Sequence, residues 1–424
     1  MDYQSLRSAV TETCVGVRSC VELEPLGGPG DKLFPPTYAV HNRAETQYAI
    51  EDRRVNGQDV KCVLLDSVAS QANRRELALL EASRRGELCL PLVSVDFRGT
   101  PVAYLDRISS LEAPHRIFDA LLRDSLLDGV LFRFSPVGQA VTEATHRNAA
   151  ALLRWSPTTL LFGGWDSTGP KGGQGAKYER AITAEVTGIH VLTGKKTSSR
   201  IDPAGIESSV RVYESAEPDE DWTVDEERAR MEKGVAVLVK SKGEKQAGRA
   251  SQINHGNIAP SIDTRAGGVT VDRVEATTVV SFMALRRLRF PTDGEGQPFA
   301  DASRDAAERA ARTALAALGL AATVLALDDG FDLRSRCVLV PTAPPSFELR
   351  RRTGEAEPFE LDRETAVRLL DEAVAELGAA GLSWERDELL LQPAQRLVDL
   401  IARSHELAAE GPTGTEALPA GAEA

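Results

Sequence analysis

The chain has few aromatic residues, 5% of 424 positions, and none of the usual signatures of a membrane, redox or nucleotide-hydrolysing protein. No run of about 18 apolar residues occurs, so no membrane span is expected. The N-terminal Met-Asp-Tyr-Gln-Ser-Leu-Arg carries no signal-peptide core, and a cytoplasmic protein is the expectation. Five cysteines, Cys14, Cys20, Cys62, Cys89 and Cys337, form no CxxC pair, which argues for reduced thiols and against a zinc site. His115 and His146 lack partners at metal-ligand spacing, so no metal or cofactor is expected. Gly-Lys-Ser/Thr does not follow a second glycine, which excludes a mononucleotide P-loop, and no Gly-x-Gly-x-x-Gly is found in the glycine-rich stretch. Nor is there an internal repeat.

What the chain does have is a glycine-rich stretch at 162–180, with glycines at 163, 164, 169, 172, 173 and 175. Glycine lets a backbone take positive φ and approach a ligand closely. Among the glycines stand the hydrogen-bond donors Ser167, Thr168, Lys171, Lys177 and Arg180, with Trp165 as the one large flat apolar surface. Amides and cations meet phosphates while an aromatic face meets a base or ribose, so the mixture suits a nucleic-acid strand. The formal net charge of −13 is unevenly spread: residues 61–200 carry +4 and residues 233–290 carry +6, whereas 291–424 carry −12. A basic face within an acidic protein can still bind a phosphate chain.

In chain order, the pattern predicts strands over 15–25, 60–66 and 90–97, and a helix after 66 capped by Asp66, Ser67 or Ser70. Gln71, Asn73 and Arg74 at that helix start make a second candidate phosphate site, because a helix N-terminus offers unpaired N–H groups. Helices are further expected over 114–127, 140–154, 176–188, 301–320, 362–378 and 393–408, with strands over 276–290 and 336–341. Residues 193–275 read as an insertion. It carries Lys195 and Lys196 and the polar string 253–261, in which Asn254, His255 and Asn257 form a hydrogen-bonding tip. The tail over 411–424 reads as disordered.

Four strings occur in one order: Phe34-Pro35-Pro36-Thr37-Tyr38, Leu65 to Arg74, Phe162 to Arg180, and Ile253 to Ser261. Together they resemble the Cas-seven-type (Csb-one / GSU0053-like) backbone subunit of the type I-G (I-U) CRISPR complex Cascade, a branch of the RAMP superfamily. The resemblance implies an α+β fold: a single RRM-like, ferredoxin-like palm over about 15–192 and 276–400, with a thumb or finger inserted at 193–275. It implies a non-catalytic subunit of antiviral defence that grips CRISPR RNA (crRNA) and presents it to target DNA. Implied partners are further copies in a head-to-tail filament, a fused Cas-five/Cas-six-type subunit, a large Cas-eight-type subunit and a recruited Cas-three-type helicase-nuclease.

On that resemblance Gln71, Asn73, Arg74, Trp165, Ser167, Thr168, Lys171, Lys177, Arg180, Lys195 and Lys196 hold the RNA. Gly163, Gly164 and Gly173 give close approach, and Asn254, His255 and Asn257 lie near a kinked base. Two alternatives stand beside it. Asp166 makes a ribonuclease conceivable, though it has no companion carboxylate; a general single-strand-binding protein is the other.

Overall fold

The computed structural model describes residues 1–409, except 41–43, 56, 170–174, 208 and 241–246. The chain divides into two compact units. The first is Met1–Asp31, Ile50–Val191 and Val271–Ala424; the second is Lys32–Ala49 and Leu192–Thr270. The tail expected to be disordered lies outside the described residues.

The first unit is built on strands β1 (Cys14–Pro25), β2 (Ile50–Val55), β3 (Gln58–Asp66), β4 (Ile182–Ile189) and β5 (Arg273–Ser281). Strands β6 (Phe331–Arg334), β7 (Cys337–Pro341), β8 (Ser346–Arg351) and β9 (Ala356–Phe359) complete it. Seven strands run in the spatial order β2-β3-β4-β5-β1-β7-β6. One edge of β1 is shared: Leu23–Pro25 pair with β7 while Cys14–Cys20 pair with β8, which in turn pairs with β9. Every pairing in this sheet is antiparallel. The fold is thus α+β with a branched antiparallel sheet.

Alternation fixes the faces. Val17, Val21 and Leu23 of β1 are buried, whereas Arg18 and Glu22 are exposed. Helices α1 (Val68–Arg84), α2 (Asp301–Asp328) and α3 (Arg363–Ala379) pack together, with α2 in contact with both of the others. Helix α2 is apolar and long enough to cross a membrane, but 89% of its most apolar window is buried inside the protein, as in a core helix. A smaller five-stranded sheet joins Val93–Asp96 to Leu389–Pro393 in parallel.

Four expected elements differ. Residues 176–188 form no helix: Ile182, Ala184 and Val186 alternate inward as strand β4, completing the sheet between β3 and β5. Over 114–127 the chain makes a 3₁₀ turn, Arg116–Phe118, a single helical turn, Ala120–Arg123, and a strand, Ser125–Leu127. Arg116 has φ +53°, which the interior of a continuous right-handed α-helix does not accommodate. Residues 140–154 split into Pro136–Glu143 and Ala150–Trp155, separated by a turn in which Thr145 and Asn148 pair. The expected strand 276–290 stops at Ser281, whose hydroxyl caps the helix Phe282–Arg286.

The second unit consists of short antiparallel ribbons, the longest pairing Lys196–Arg200 with Ile258–Asp263. Lys32–Ala49 belongs to it: Leu33 pairs with Val269, and the Tyr48 hydroxyl accepts a hydrogen bond from the Gly268 amide at 2.8 Å. Its small core gathers Tyr213, Ala229 and Ala236.

Candidate nucleic-acid interface

Strand β3 ends at Asp66, which is fully buried, and α1 starts two residues on, with the Ser67 hydroxyl accepting from the Ser70 amide. A buried carboxylate needs donors. Asp66 receives them from Gln71 Nε2 at 2.7 Å, Arg74 Nε at 3.0 Å and Arg334 Nη2 at 3.2 Å. Arg74 also donates to the carbonyls of Asp332 and Leu333. Gln71 Oε1 accepts from Arg75 Nη1 at 2.8 Å, and burial pushes the Arg75 guanidinium down to about 10. The structure therefore takes Gln71 away from the surface and commits Arg74 to stitching α1 onto the sheet. Of the three, Asn73 alone is exposed.

One turn after Asn73, Glu76 is buried and receives both Nε (2.6 Å) and Nη2 (2.8 Å) of Arg116. Arg116 Nη1 donates to the Gly163 carbonyl at 3.0 Å, and its guanidinium lies 5.7 Å from the centre of the Phe162 ring. Burial pushes the Glu76 carboxyl up more strongly than Arg116 pulls it down. This clasp brings α1 and the entrance of the glycine-rich stretch together. Gly163 sits at φ +86°, and a Cβ there would stand 3.0 Å from the Tyr178 carbonyl. A Cβ on Gly164 would stand 2.6 Å from Thr159 Cγ2. Both glycines thus serve close packing inside the protein.

Gly164–Trp165 then pairs with Lys177–Tyr178, closing a small hairpin. Across its base the Lys177 ammonium lies 4.2 Å from the centre of the Trp165 ring, a cation–π contact that leaves the indole 38% exposed. The stem of Arg180 runs beside Gly163, and its charge reaches Glu76. The Arg180 guanidinium makes no hydrogen bond or ion pair among the described residues. Asn73, Trp165, Lys177 and Arg180 are all exposed around this junction of α1 and hairpin.

Within the hairpin, Asp166 is 3% exposed and takes Arg133 Nη2 at 3.0 Å. Arg133 Nη1 holds the Thr168 carbonyl at 2.6 Å, and the Thr168 hydroxyl is approached by Arg123 and Arg133 at 3.4 Å. Ser167 is exposed; Lys171 and Gly173 lie outside the described residues. Asp166 is therefore a loop anchor. No group of three or more His, Cys, Asp or Glu is placed to hold a metal ion among the described residues.

The remaining candidates sit in the second unit. Lys195 is exposed while its carbonyl accepts from Lys32 Nζ at 2.6 Å, and Lys196 pairs with Asp263 at 3.2 Å. Asn254 takes a left-handed conformation, φ +61°, at the end of a 3₁₀ turn. The tip around it is tied by Asp202, which accepts from the Gly256 amide and stands 3.6 Å from His255 Nδ1. Asn257 Oδ1 accepts from the Asp202 amide at 2.7 Å, and Arg200 donates to the carbonyls of His255 and Gly256. Backbone hydrogen bonds hold the Asp202 carboxyl below its ordinary range. His255 meets the edge of Trp222, ring centres 6.4 Å apart.

Residues 17–193 match the family model described as CRISPR-associated protein GSU0053. Over that segment, which is less than half of its length, the chain is similar to this CRISPR-associated family. No curated protein gives a significant match. The matched segment contains the whole junction of α1 and hairpin, and ends before Lys195 and the 254–257 tip. Arg116, Arg133 and Asp202 escaped the sequence reading. Arg116 lies 40 residues from Glu76 and Arg133 lies 33 from Asp166, so no local spacing announced either pair.

Proposed function

We propose that this chain is the non-catalytic backbone subunit of a type I-G (I-U) Cascade, holding crRNA along its length and presenting it for pairing with target DNA. The observation that carries the reading is the exposed set Asn73, Trp165, Lys177 and Arg180, gathered where the hairpin meets α1. An exposed indole with an ammonium against its ring suits a base and a flanking phosphate, without regard to sequence.

The strand order supports an RRM-like palm. Taking β1, β4, β5 and β8 as first to fourth, with α1 between first and second and α2 between third and fourth, the sheet reads fourth-first-third-second. That is the β-α-β-β-α-β arrangement. Burial of Asp166 against Arg133 favours the non-catalytic reading over a ribonuclease. Successive copies stack head to tail, a heterologous contact that does not close on itself. The fused Cas-five/Cas-six-type and Cas-eight-type subunits and the helicase-nuclease complete the assembly.

Co-expression with a repeat array, followed by purification and sequencing of the retained RNA, tests the proposal. Repeat-flanked guides are the expected yield; RNA-free protein, or RNA drawn evenly from the transcriptome, would overturn it. Incubation of the complex with matched RNA and Mg²⁺ is expected to leave that RNA uncut.

A further inference from the structure

The turn Thr145–Asn148 lies against the base of the glycine-rich hairpin and is held there from several sides. Thr145 and Asn148 exchange backbone hydrogen bonds of 3.0 Å, which leaves His146 and Arg147 at the tip. The Arg289 amide donates to the His146 carbonyl at 2.9 Å, and the Ala149 amide donates to the Arg289 carbonyl at 2.9 Å. The His146 ring stacks on that of Tyr178, centres 4.8 Å apart and planes 24° from parallel. Tyr178 is buried and stands next to Lys177, opposite Gly164.

The charges around the turn decide what it offers. Glu179 and Arg287 line one small cavity with His146 and Tyr178, and they pair with each other at 2.9 Å. Arg289 pairs with Glu308 at 3.1 Å. Arg147 is exposed, and its guanidinium makes no hydrogen bond or ion pair among the described residues. Glu143, the carboxylate nearest to it in the chain, makes no ion pair among the described residues either. Backbone bonds and a ring stack thus fix a turn whose tip carries an unmatched cation. A charge on a backbone already set in place loses less freedom when it meets an anion. The tip has no open aromatic face, because the His146 ring is taken by Tyr178, so it suits a phosphate and not a base.

We propose that Arg147 is a further phosphate-binding residue that carries a single strand past the hairpin, and that His146 is the positioning residue holding the turn to Tyr178. The inference rests on the strand-binding reading above and extends it: Arg147 joins Lys177 and Arg180 around the base of one hairpin. Its contact is with the sugar–phosphate backbone and is indifferent to sequence.

Filter binding of a labelled, mixed-sequence single-stranded RNA to the full chain across a salt series is the test. Arg147→Ala is expected to weaken binding severalfold and to lower the salt slope by about 0.7, the share of one phosphate on a single strand. Arg147→Lys should restore the slope, since a point charge also binds phosphate. Arg386→Ala is the control. Arg386 is exposed and its guanidinium likewise makes no hydrogen bond or ion pair among the described residues, but it lines a separate cleft with Cys89 and Asp371, so the slope should stay. His146→Ala should weaken binding and speed hydrogen exchange at the Arg289 amide, and His146→Phe, which keeps a ring on Tyr178, should reverse both. Thermal melts check that each variant folds. An unchanged slope in Arg147→Ala, or an equal drop in Arg386→Ala, would overturn the phosphate site; failure of His146→Phe to rescue would overturn the positioning role. The RNA sequencing above separates the two ideas. Guides retained while Arg147→Ala keeps its slope sink this inference alone; an Arg147-dependent slope without retained guides sinks the guide reading alone.

Discussion

Lys177 and Arg180 carry their charge in different ways, and the difference is measurable. The Lys177 ammonium rests on the Trp165 ring, whereas the Arg180 guanidinium has no ion pair among the described residues. On the proposed function, Arg180→Ala weakens RNA retention equally for all guide sequences and reduces the salt slope of binding by about one. Trp165→Ala costs about 1–3 kcal/mol of binding through lost stacking, with the salt slope nearly unchanged. Filter binding across a salt series reads both. Arg116 works inside the protein: Arg116→Met leaves Glu76 buried and unpaired, and should cost about 3–5 kcal/mol of stability in a urea titration. Glu76→Gln should cost less, since a neutral amide can stay buried beside Arg116. The exposure of Trp165, Lys177 and Arg180 was legible in the sequence, where they stand among glycines. The buried roles of Gln71 and Arg74 were not, because a carboxylate at a strand end and a carbonyl more than 250 residues away leave no local trace.

Among elements, α2 shows how composition sets distance. Ala310, Ala311, Ala314, Ala317, Ala321 and Ala322 are all buried, and Gly319 lies 3.4 Å, measured from an added Cβ, from Val280 of β5. Small side chains let α2 lie close to α1, α3 and the sheet. Ala314→Leu is therefore expected to destabilise by about 1–3 kcal/mol or more through overpacking, read as a fall in denaturation midpoint at constant slope. The tip at 254–257 depends on Asp202, whose folded pKa lies below the ordinary 3.8. Between those two values the unfolded state binds more protons. The stability Asp202 supplies is thus present above pH 3.8 and lost as pH falls through the lowered value. Asp202→Ala should deprotect the Gly256 amide in hydrogen exchange at neutral pH, and wild type should lose the same protection on acidification. Helix α1, with its cap narrowed to Asp66, Ser67 or Ser70, strand β1 and helix α3 could be read from periodicity and capping. Strand β4 could not: Glu179 and Arg180 before it and Glu185 within it stand at spacings that also fit a helix, and only pairing with β3 and β5 settles it.

At the scale of the molecule, the sheet face away from the helices is furnished with matched charges. Arg18 pairs with Glu348, Arg53 with Glu51 and Glu185, and Arg273 with Glu275. Glu22 stands directly across from Glu275, a juxtaposition that discourages phosphate. On the proposed function Glu22→Lys should leave RNA retention within about twofold of wild type, because the RNA passes elsewhere; a marked rise would place the strand on the sheet face.

The chain leaves the first unit after β4 and comes back into it through β5, and these two strands are hydrogen-bonded neighbours, with Ile189 opposite Arg273. A tight turn would bridge that gap. Seventy-nine residues, Leu192–Thr270, are spliced in instead. Because the two splice points are already held side by side by the sheet, this passage is free to lengthen, shorten or change sequence at little cost to the scaffold, which makes it the part of the protein most open to evolutionary retailoring.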